Sequence, residues 1–382
     1  MRLQYFFKIN KQMKSHSLVV ASLTMMMLFS TCSKPEVDSI NASNKIPEIR
    51  NVILLIGDGM GVTQISAGMY MNGNTLNLER CKVVGLHKPS ASNSLVTDSA
   101  AGATAFACGK KTYNGAIAVG PDMMPIKTIL EYAEEKGLAT GLVATSTITH
   151  ATPASFIAHV EQRSMMEEIA ADFMKTEVDI FIGGGKKFFD NRSDNRNLSD
   201  ELRAKGYFIS DFVTEDLETI SFPIDKNIGY FTANNNPLPA YQGRDYIKVA
   251  TEKAINYLDQ KSKDGFFLMV EGSQIDWGGH ANNSDYIITE MIDFDKAVKA
   301  ALDFAEKDGH TLVVITADHE TGGYAINTGS KMDSLVTAFT TDYHTADLIP
   351  VFAFGPNASE FGGIYENTAI FDKIMNALIN NK

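Results

Sequence analysis

Cysteine is scarce in this chain: Cys32, Cys81 and Cys108 are the only 3, too few for a disulfide-built scaffold and without the C-x-x-C spacing that would hold a metal. Cys81 and Cys108 read as small core residues, since two thiols in a domain this large are ordinarily packing groups rather than a bridge. Positive charge is short as well. Lysine and arginine number 34 against 46 acidic residues, a formal net charge of −12, which leaves out the basic face that nucleic-acid binding requires. No apolar run reaches the ~20 residues of a membrane-spanning helix, and no internal repeat suggests a solenoid.

What is present is an ordinary globular composition, 44% hydrophobic and 21% charged, in a chain of 382 residues. The first 31 residues stand apart. Arg2, Lys8, Lys11 and Lys14 precede an apolar stretch from Leu18 to Phe29, with no acidic residue before it, which is the layout of an export signal. Ser30 and Thr31 before Cys32 resemble a bacterial lipoprotein processing site, so the expectation is removal of residues 1–31, lipid on Cys32 and a periplasmic or outer-membrane location. Losing those four cations takes the formal charge from −12 to −16. Residues 32–49 read as a polar tether.

From Arg50 onward, strand-like and helix-like patterns alternate, predicting one α/β domain over residues 50–382, a three-layer sandwich around a large, mostly parallel sheet. The expected strands include Val52–Ile56, Lys82–Lys88, Leu138–Thr145, Val178–Ile182, Phe266–Val270, Leu312–Thr316 and Pro350–Phe354. Helices are expected at Pro125–Lys136, Asp245–Gln260, Ser284–Lys307 and Glu366–Ile379. Residues 191–242 and 321–343 break the alternation and read as surface insertions.

Three of the strands end in acid. Val52–Ile56 leads through Gly57 into Asp58, Phe266–Val270 into Glu271, and Leu312–Thr316 through Ala317 into Asp318 and His319. The carboxyl ends of parallel strands share one edge, where ligands bind, so these tips should converge. Like charges cannot gather there unpaired; they share protons or bind cations, and the nearby histidines favour cations. Asp276 and His280, in IDWGGHANN, read as a short flexible clip able to reach one zinc ion. His344 could return a third ligand to it.

The stretch VTDSAAGATAFACGKK places Asp98 and Ser99 where an N-cap would stand, before a helix of small residues from Ala100 to Ala107. Such a pair is ordinarily a cap alone. A helix N-terminus also binds phosphate and favours a serine alkoxide, and a cation would complete that activation. Thr152 follows another strand to the same edge, and Arg163 could grip two phosphate oxygens with its planar fork.

Taken in order, Asp-Gly-Met-Gly at 58–61, Thr-Asp-Ser-Ala-Ala at 97–101, His-Ala-Thr-Pro at 150–153, Val-Glu-Gly at 270–272, Ile-Asp-x-x-x-His at 275–280 and Ala-Asp-His at 317–319 resemble the alkaline phosphatase family. The resemblance implies hydrolysis of phosphate monoesters through a phosphoserine. It implies zinc on Asp276, His280 and His344, a second zinc on Asp58, Asp318 and His319, and magnesium on Asp58, Thr152 and Glu271. Ser99 matches the nucleophile and Arg163 the phosphate-binding arginine. Monoester hydrolases reach accelerations up to ~10²¹, about 28 kcal/mol. One charged hydrogen bond contributes only about 1.5–3 kcal/mol, so cations must supply much of the rest.

Two positions depart from other members. His150 and Trp277 stand near the magnesium and phosphate where others carry Asp and Lys, implying a different magnesium affinity. A homodimer is expected from the family. The same fold also serves phosphodiesterases and sulfatases, but the cysteine motif of sulfatases is absent. A binding lipoprotein without catalysis is disfavoured, because Gly57, Gly59 and Gly61 miss the G-x-G-x-x-G spacing of a phosphate loop.

Overall fold

The computed structural model describes residues 48–380; the expected export signal, Cys32 and the tether up to Pro47 lie outside them. In chain order the strands are β1 (Asn51–Gly57), β2 (Val83–Lys88), β3 (Ala139–Thr147), β4 (Ile180–Gly184), β5 (Phe208–Asp211), β6 (Ile228–Phe231), β7 (Phe266–Gly272), β8 (Thr311–Thr316), β9 (Glu320–Thr321), β10 (Ala325–Ile326), β11 (Thr337–Ala338), β12 (His344–Thr345), β13 (Ile349–Phe354) and β14 (Gly363–Glu366). Ten form one sheet in the order β14-β2-β13-β8-β1-β7-β3-β4-β6-β5. β13 pairs antiparallel with both of its neighbours, and every other pairing in the sheet is parallel.

The unbroken aliphatic run of β1 is explained by burial on both faces. Val52, Leu54 and Ile56 join one apolar layer; Ile53 and Leu55 join the other. Each such fully buried side chain contributes about 1.5–3 kcal/mol. The first layer is covered by helices Ser99–Cys108, Ile129–Glu135 and Ala369–Met375, the second by Val62–Met71, Ile247–Lys261 and the long Ser284–Asp308. This is the expected three-layer α/β/α architecture. Cys81 and Cys108 are free and sit in opposite layers, so the sheet separates them.

Several expectations need correction. Residues 191–242 are not merely a surface excursion, because they supply β5 and β6, which complete one edge of the sheet. The first helical turn expected after Pro125 is absent. Thr128 caps that helix instead, accepting from Glu131 N, while Glu131 returns a bond to Thr128 N, a capping box that fixes the start. The final helix begins at Ala369, because Gly363–Glu366 pairs with β2 as β14. Among the described residues, no helix is long and apolar enough to cross a membrane.

Candidate metal centre

Register brings the acidic tips together. Ile56 of β1 lies beside Glu271 of β7 on one side and Thr316 of β8 on the other, so Asp58, Glu271 and Asp318 emerge at one sheet edge. All three are fully buried. The helix that starts at Ser99 meets this edge end-on. Its small residues are what permit the approach: a Cβ on Gly102 would stand 2.9 Å from Asp318 Cβ. Asp98 caps the helix, its Oδ1 accepting from Ala101 N at 2.9 Å, and Ser99 is left at the positive end.

Ser99 Oγ lies 3.3 Å from His319 Nε2 and 3.5 Å from Asp58 Oδ1. His319 Nε2 is in turn 3.2 Å from Asp318 Oδ2 and 3.5 Å from Asp58 Oδ1. A second cluster adjoins the first. His344 Nε2 is 3.1 Å from His280 Nε2 and 3.5 Å from Asp276 Oδ1, and His280 Nε2 is 3.3 Å from the same Asp276 oxygen. His319 and His344 stack, with ring centroids 3.5 Å apart.

Asp276 and His280 occupy a short helix, Gln274–His280, rather than the flexible clip expected. The spacing of four puts both on one helical face. Gly278 and Gly279 serve packing: a Cβ on the first would meet Ile287 N at 2.7 Å and on the second Thr321 Cβ at 2.7 Å.

The hydrogen bonds fix where the imidazole protons are. His280 Nδ1 faces Asp342 O at 2.7 Å and His344 Nδ1 faces Thr97 O at 2.8 Å; a carbonyl only accepts, so both Nδ1 atoms carry the proton. Thr321 donates its hydroxyl to Asp276 Oδ1, leaving its oxygen to accept from His319 Nδ1 at 3.2 Å. All three histidines, when neutral, therefore present a bare Nε2 to the carboxylates. His280 Nε2 and His344 Nε2 face each other at 3.1 Å.

Asp58 Oδ2, Asp318 Oδ2, Glu271 Oε1 and Thr152 Oγ1 are buried without a hydrogen-bond partner. Such atoms are costly unless something else satisfies them. Ligand atoms within 4.8 Å of one another are offered by Asp58, Asp318 and His319, by Asp276, His319 and His344, and by Asp58, His150 and Glu271. The residues present thus fit divalent cations: nitrogen-bearing sets suit zinc, and the oxygen-rich corner at Asp58, Glu271 and Thr152 suits magnesium.

Electrostatics agree. Burial, then Asp318, Asp276 and Glu271, raise the Asp58 carboxyl well above its usual range. Burial likewise raises Asp318, and it raises Glu271 to about 7 against hydrogen bonds from Ser273 and Ser146. Burial pushes His319 well below the usual imidazole range, and burial with the Arg163 charge pushes His150 down to about 3. Positive charge brought to this pocket would reverse the carboxyl shifts.

Arg163 borders the site. Its Nη1 is 3.1 Å from Asp98 Oδ2, and its Nη2 is 3.5 Å from His150 Nε2. His150 packs edge-on to Trp277, with centroids 5.9 Å apart. All the residues expected from sequence meet here. Sequence reading missed Thr321, which joins the two clusters, Asn114, which accepts from Asp98 N at 2.9 Å, and Ser273, which donates to Glu271 at 2.5 Å. The Val-Glu-Gly-Ser run was the one signal that could have found Ser273.

The comparisons with known proteins bear on this site. A model of the alkaline phosphatase family matches residues 49–337. The chain belongs to the alkaline phosphatase family. It is 36% identical to alkaline phosphatase 3 of Bacillus subtilis, covering 95% of this chain and 97% of the relative, and 32% identical to the alkaline phosphatase of Escherichia coli K12 across 86% of each. The solved alkaline phosphatase from the Antarctic bacterium TAB5 superposes with a TM-score of 0.82 at 46% identity, over 87% of this chain and 98% of that one. A TAB5 variant with aspartate replacing one histidine was solved with Mg bound in its M3 site. Membership makes this alkaline phosphatase relative a phosphoric monoester hydrolase.

Proposed function

We propose that the chain hydrolyses phosphate monoesters through a phosphoserine at Ser99, using two zinc ions and one magnesium. The observation that carries this reading is the setting of Ser99: at a helix N-terminus, 3.3 Å from a bare histidine nitrogen, beside buried carboxylate oxygens that no hydrogen bond satisfies. Asp276, His280 and His344 are assigned to one zinc, Asp58, Asp318 and His319 to the other, and Asp58, Thr152 and Glu271 to magnesium. The ions, when bound, supply Lewis acidity that lowers the serine pKa and neutralises the leaving oxygen.

The remaining work belongs to the chain. The cap at Asp98 fixes Ser99 against the sheet edge, so Oγ is aimed before substrate arrives. Arg163 has one guanidinium nitrogen held by Asp98, leaving donors for two non-bridging phosphate oxygens. The Ser99 Oγ–phosphorus bond forms as the ester oxygen–phosphorus bond breaks, and the departing alkoxide takes a proton from water. Water then attacks the phosphoserine, releasing inorganic phosphate and restoring the Ser99 hydroxyl.

His150 is the histidine that faces Asp58 and Glu271 in this chain. Magnesium in a TAB5 variant with aspartate for histidine supports the reading that such a histidine weakens magnesium binding. The proposal extends to export with a lipid anchor at Cys32 in the periplasm or outer membrane, which the basic and apolar N-terminal sequence supports, and to a homodimer as implied by the family resemblance. The test is phosphate release from an aryl phosphate before and after chelation, then with zinc and magnesium restored. Loss and recovery are expected, with no turnover by Ser99→Ala. Activity untouched by exhaustive chelation, or faster release from the methyl diester, would overturn it.

A further inference from the structure

The metal centre is unevenly exposed. Asp58 and His319 are fully buried, whereas the His280 side chain is 36% exposed and that of Arg163 is 28% exposed. Tyr343 stands at the exposed side. Its ring lies parallel to His344, with centroids 4.4 Å apart and 4° between planes, and tilted toward His280 at 5.9 Å. Since His344 stacks in turn on His319, three rings run from the buried side to the exposed one, and the outermost, Tyr343, is 47% exposed. Leu95, 74% exposed, precedes by two residues the Thr97 carbonyl that holds His344. A polar, charged site is thus flanked at its exposed side by the partly exposed aromatic ring of Tyr343.

Resting on the reading of Ser99 as nucleophile, this placement has a consequence for the substrate. In-line attack from Ser99 expels the ester oxygen on the opposite side, toward Asp276, His280 and His344. The group attached to that oxygen then projects past the partly exposed His280, because Asp58 and His319 on the other side are fully buried. We propose that Tyr343 is a specificity-determining contact for the leaving group, favouring phosphate esters of planar aromatic alcohols over those of aliphatic alcohols. The ring face next to His344 is used. The other supplies an apolar, rigid surface with two χ angles to order, and offset stacking on it is attractive at little entropic cost.

The test compares Tyr343→Ala and Tyr343→Phe with the natural protein, metals loaded, on phenyl phosphate and glycerol phosphate, and measures binding of phenylphosphonate and inorganic phosphate by calorimetry. Tyr343→Ala is expected to lower the phenyl-to-glycerol ratio of kcat/KM, and the phenylphosphonate-to-phosphate ratio of affinities, each by about fivefold. Tyr343→Phe should keep both ratios. Equal losses for both esters would make Tyr343 only a support for His344 and overturn the proposal, as would a loss in Tyr343→Phe equal to that in Tyr343→Ala. Failure of the underlying reading is distinguishable, since Ser99→Ala would then still hydrolyse both esters.

Discussion

The Thr321 hydroxyl donates to Asp276 Oδ1 at 2.5 Å while its oxygen lies 3.2 Å from His319 Nδ1, so one side chain orients a residue in each of the two sets proposed to hold zinc. Threonine arrives there because β9 pairs with β12, which also carries His344. The strand pairing therefore couples the two clusters through backbone as well as side chain.

Removing that hydroxyl should loosen zinc without unfolding the protein. Thr321→Val keeps the shape but leaves His319 Nδ1 without its acceptor, freeing the ring to change tautomer. Outer-shell losses of this kind typically cost 10–100-fold in metal affinity. Competition with a graded chelator is the measurement, and activity should return at high zinc. Unchanged zinc retention would mean that the hydroxyl orients nothing.

Asp98 serves two partners with its two oxygens, the Ala101 amide and the Arg163 guanidinium. The two roles are separable. Asp98→Ala loses both and should cost about 1 kcal/mol of stability. Asp98→Asn still caps the helix, so most of that stability should return, but it gives up the ionic hold on Arg163. In both variants inhibition by inorganic phosphate should weaken. Melting curves and phosphate inhibition, run side by side, tell a cap from a phosphate clamp.

Much of this was legible because physics leaves marks in sequence. An unbroken aliphatic run announces a strand buried on both faces, and an acid at its end announces a site, as with Val52–Ile56 and Asp58. The small-residue helix behind Ser99 announced close approach, though not that Gly102 would lie against Asp318. Other features left no mark. Gly278 and Gly279 look like flexibility and are packing. Thr321 sits in a Gly/Thr-rich stretch, where one more threonine carries no signal, and its role depends on a strand pairing that sets it opposite His344, 23 residues on. β5 and β6 are short and lie among Asn, Asp and Pro, so their alternation was too brief to read.

The buried carboxyls give the metal-free protein a pH signature. Glu271 is held at about 7 against an ordinary 4.5, so its folded form binds the proton more tightly than its unfolded form. Stability from that group is full below about 4.5 and is lost as pH rises toward 7. His319 and His150, whose pKa values are depressed, act in the opposite sense below the ordinary 6.5, so the net curve alone cannot isolate Glu271. Glu271→Gln removes the titration. Its stability relative to the natural metal-free protein should climb between pH 4.5 and 7 and level off above. Urea melts of both proteins in chelator across that range check it, and a constant difference would show that Glu271 is ionised throughout.

His150 sets the last expectation. Its half-buried ring packs edge-on to Trp277, its Nδ1 is buried without a hydrogen bond, and its Nε2 is 3.5 Å from Arg163. Held neutral by burial and by the Arg163 charge, it offers the Asp58–Glu271 corner no negative charge. A hard cation such as magnesium prefers carboxylate oxygen to imidazole nitrogen. His150→Asp should therefore tighten magnesium binding, shifting the magnesium dependence of activity to lower concentration and raising the melting temperature at fixed magnesium. It should also give Arg163 a carboxylate partner and so weaken its grip on phosphate, seen as a higher inhibition constant for inorganic phosphate. Both effects follow from adding one negative charge between the same two neighbours. An unchanged magnesium curve would remove His150 from the account of that site, whatever happened to phosphate.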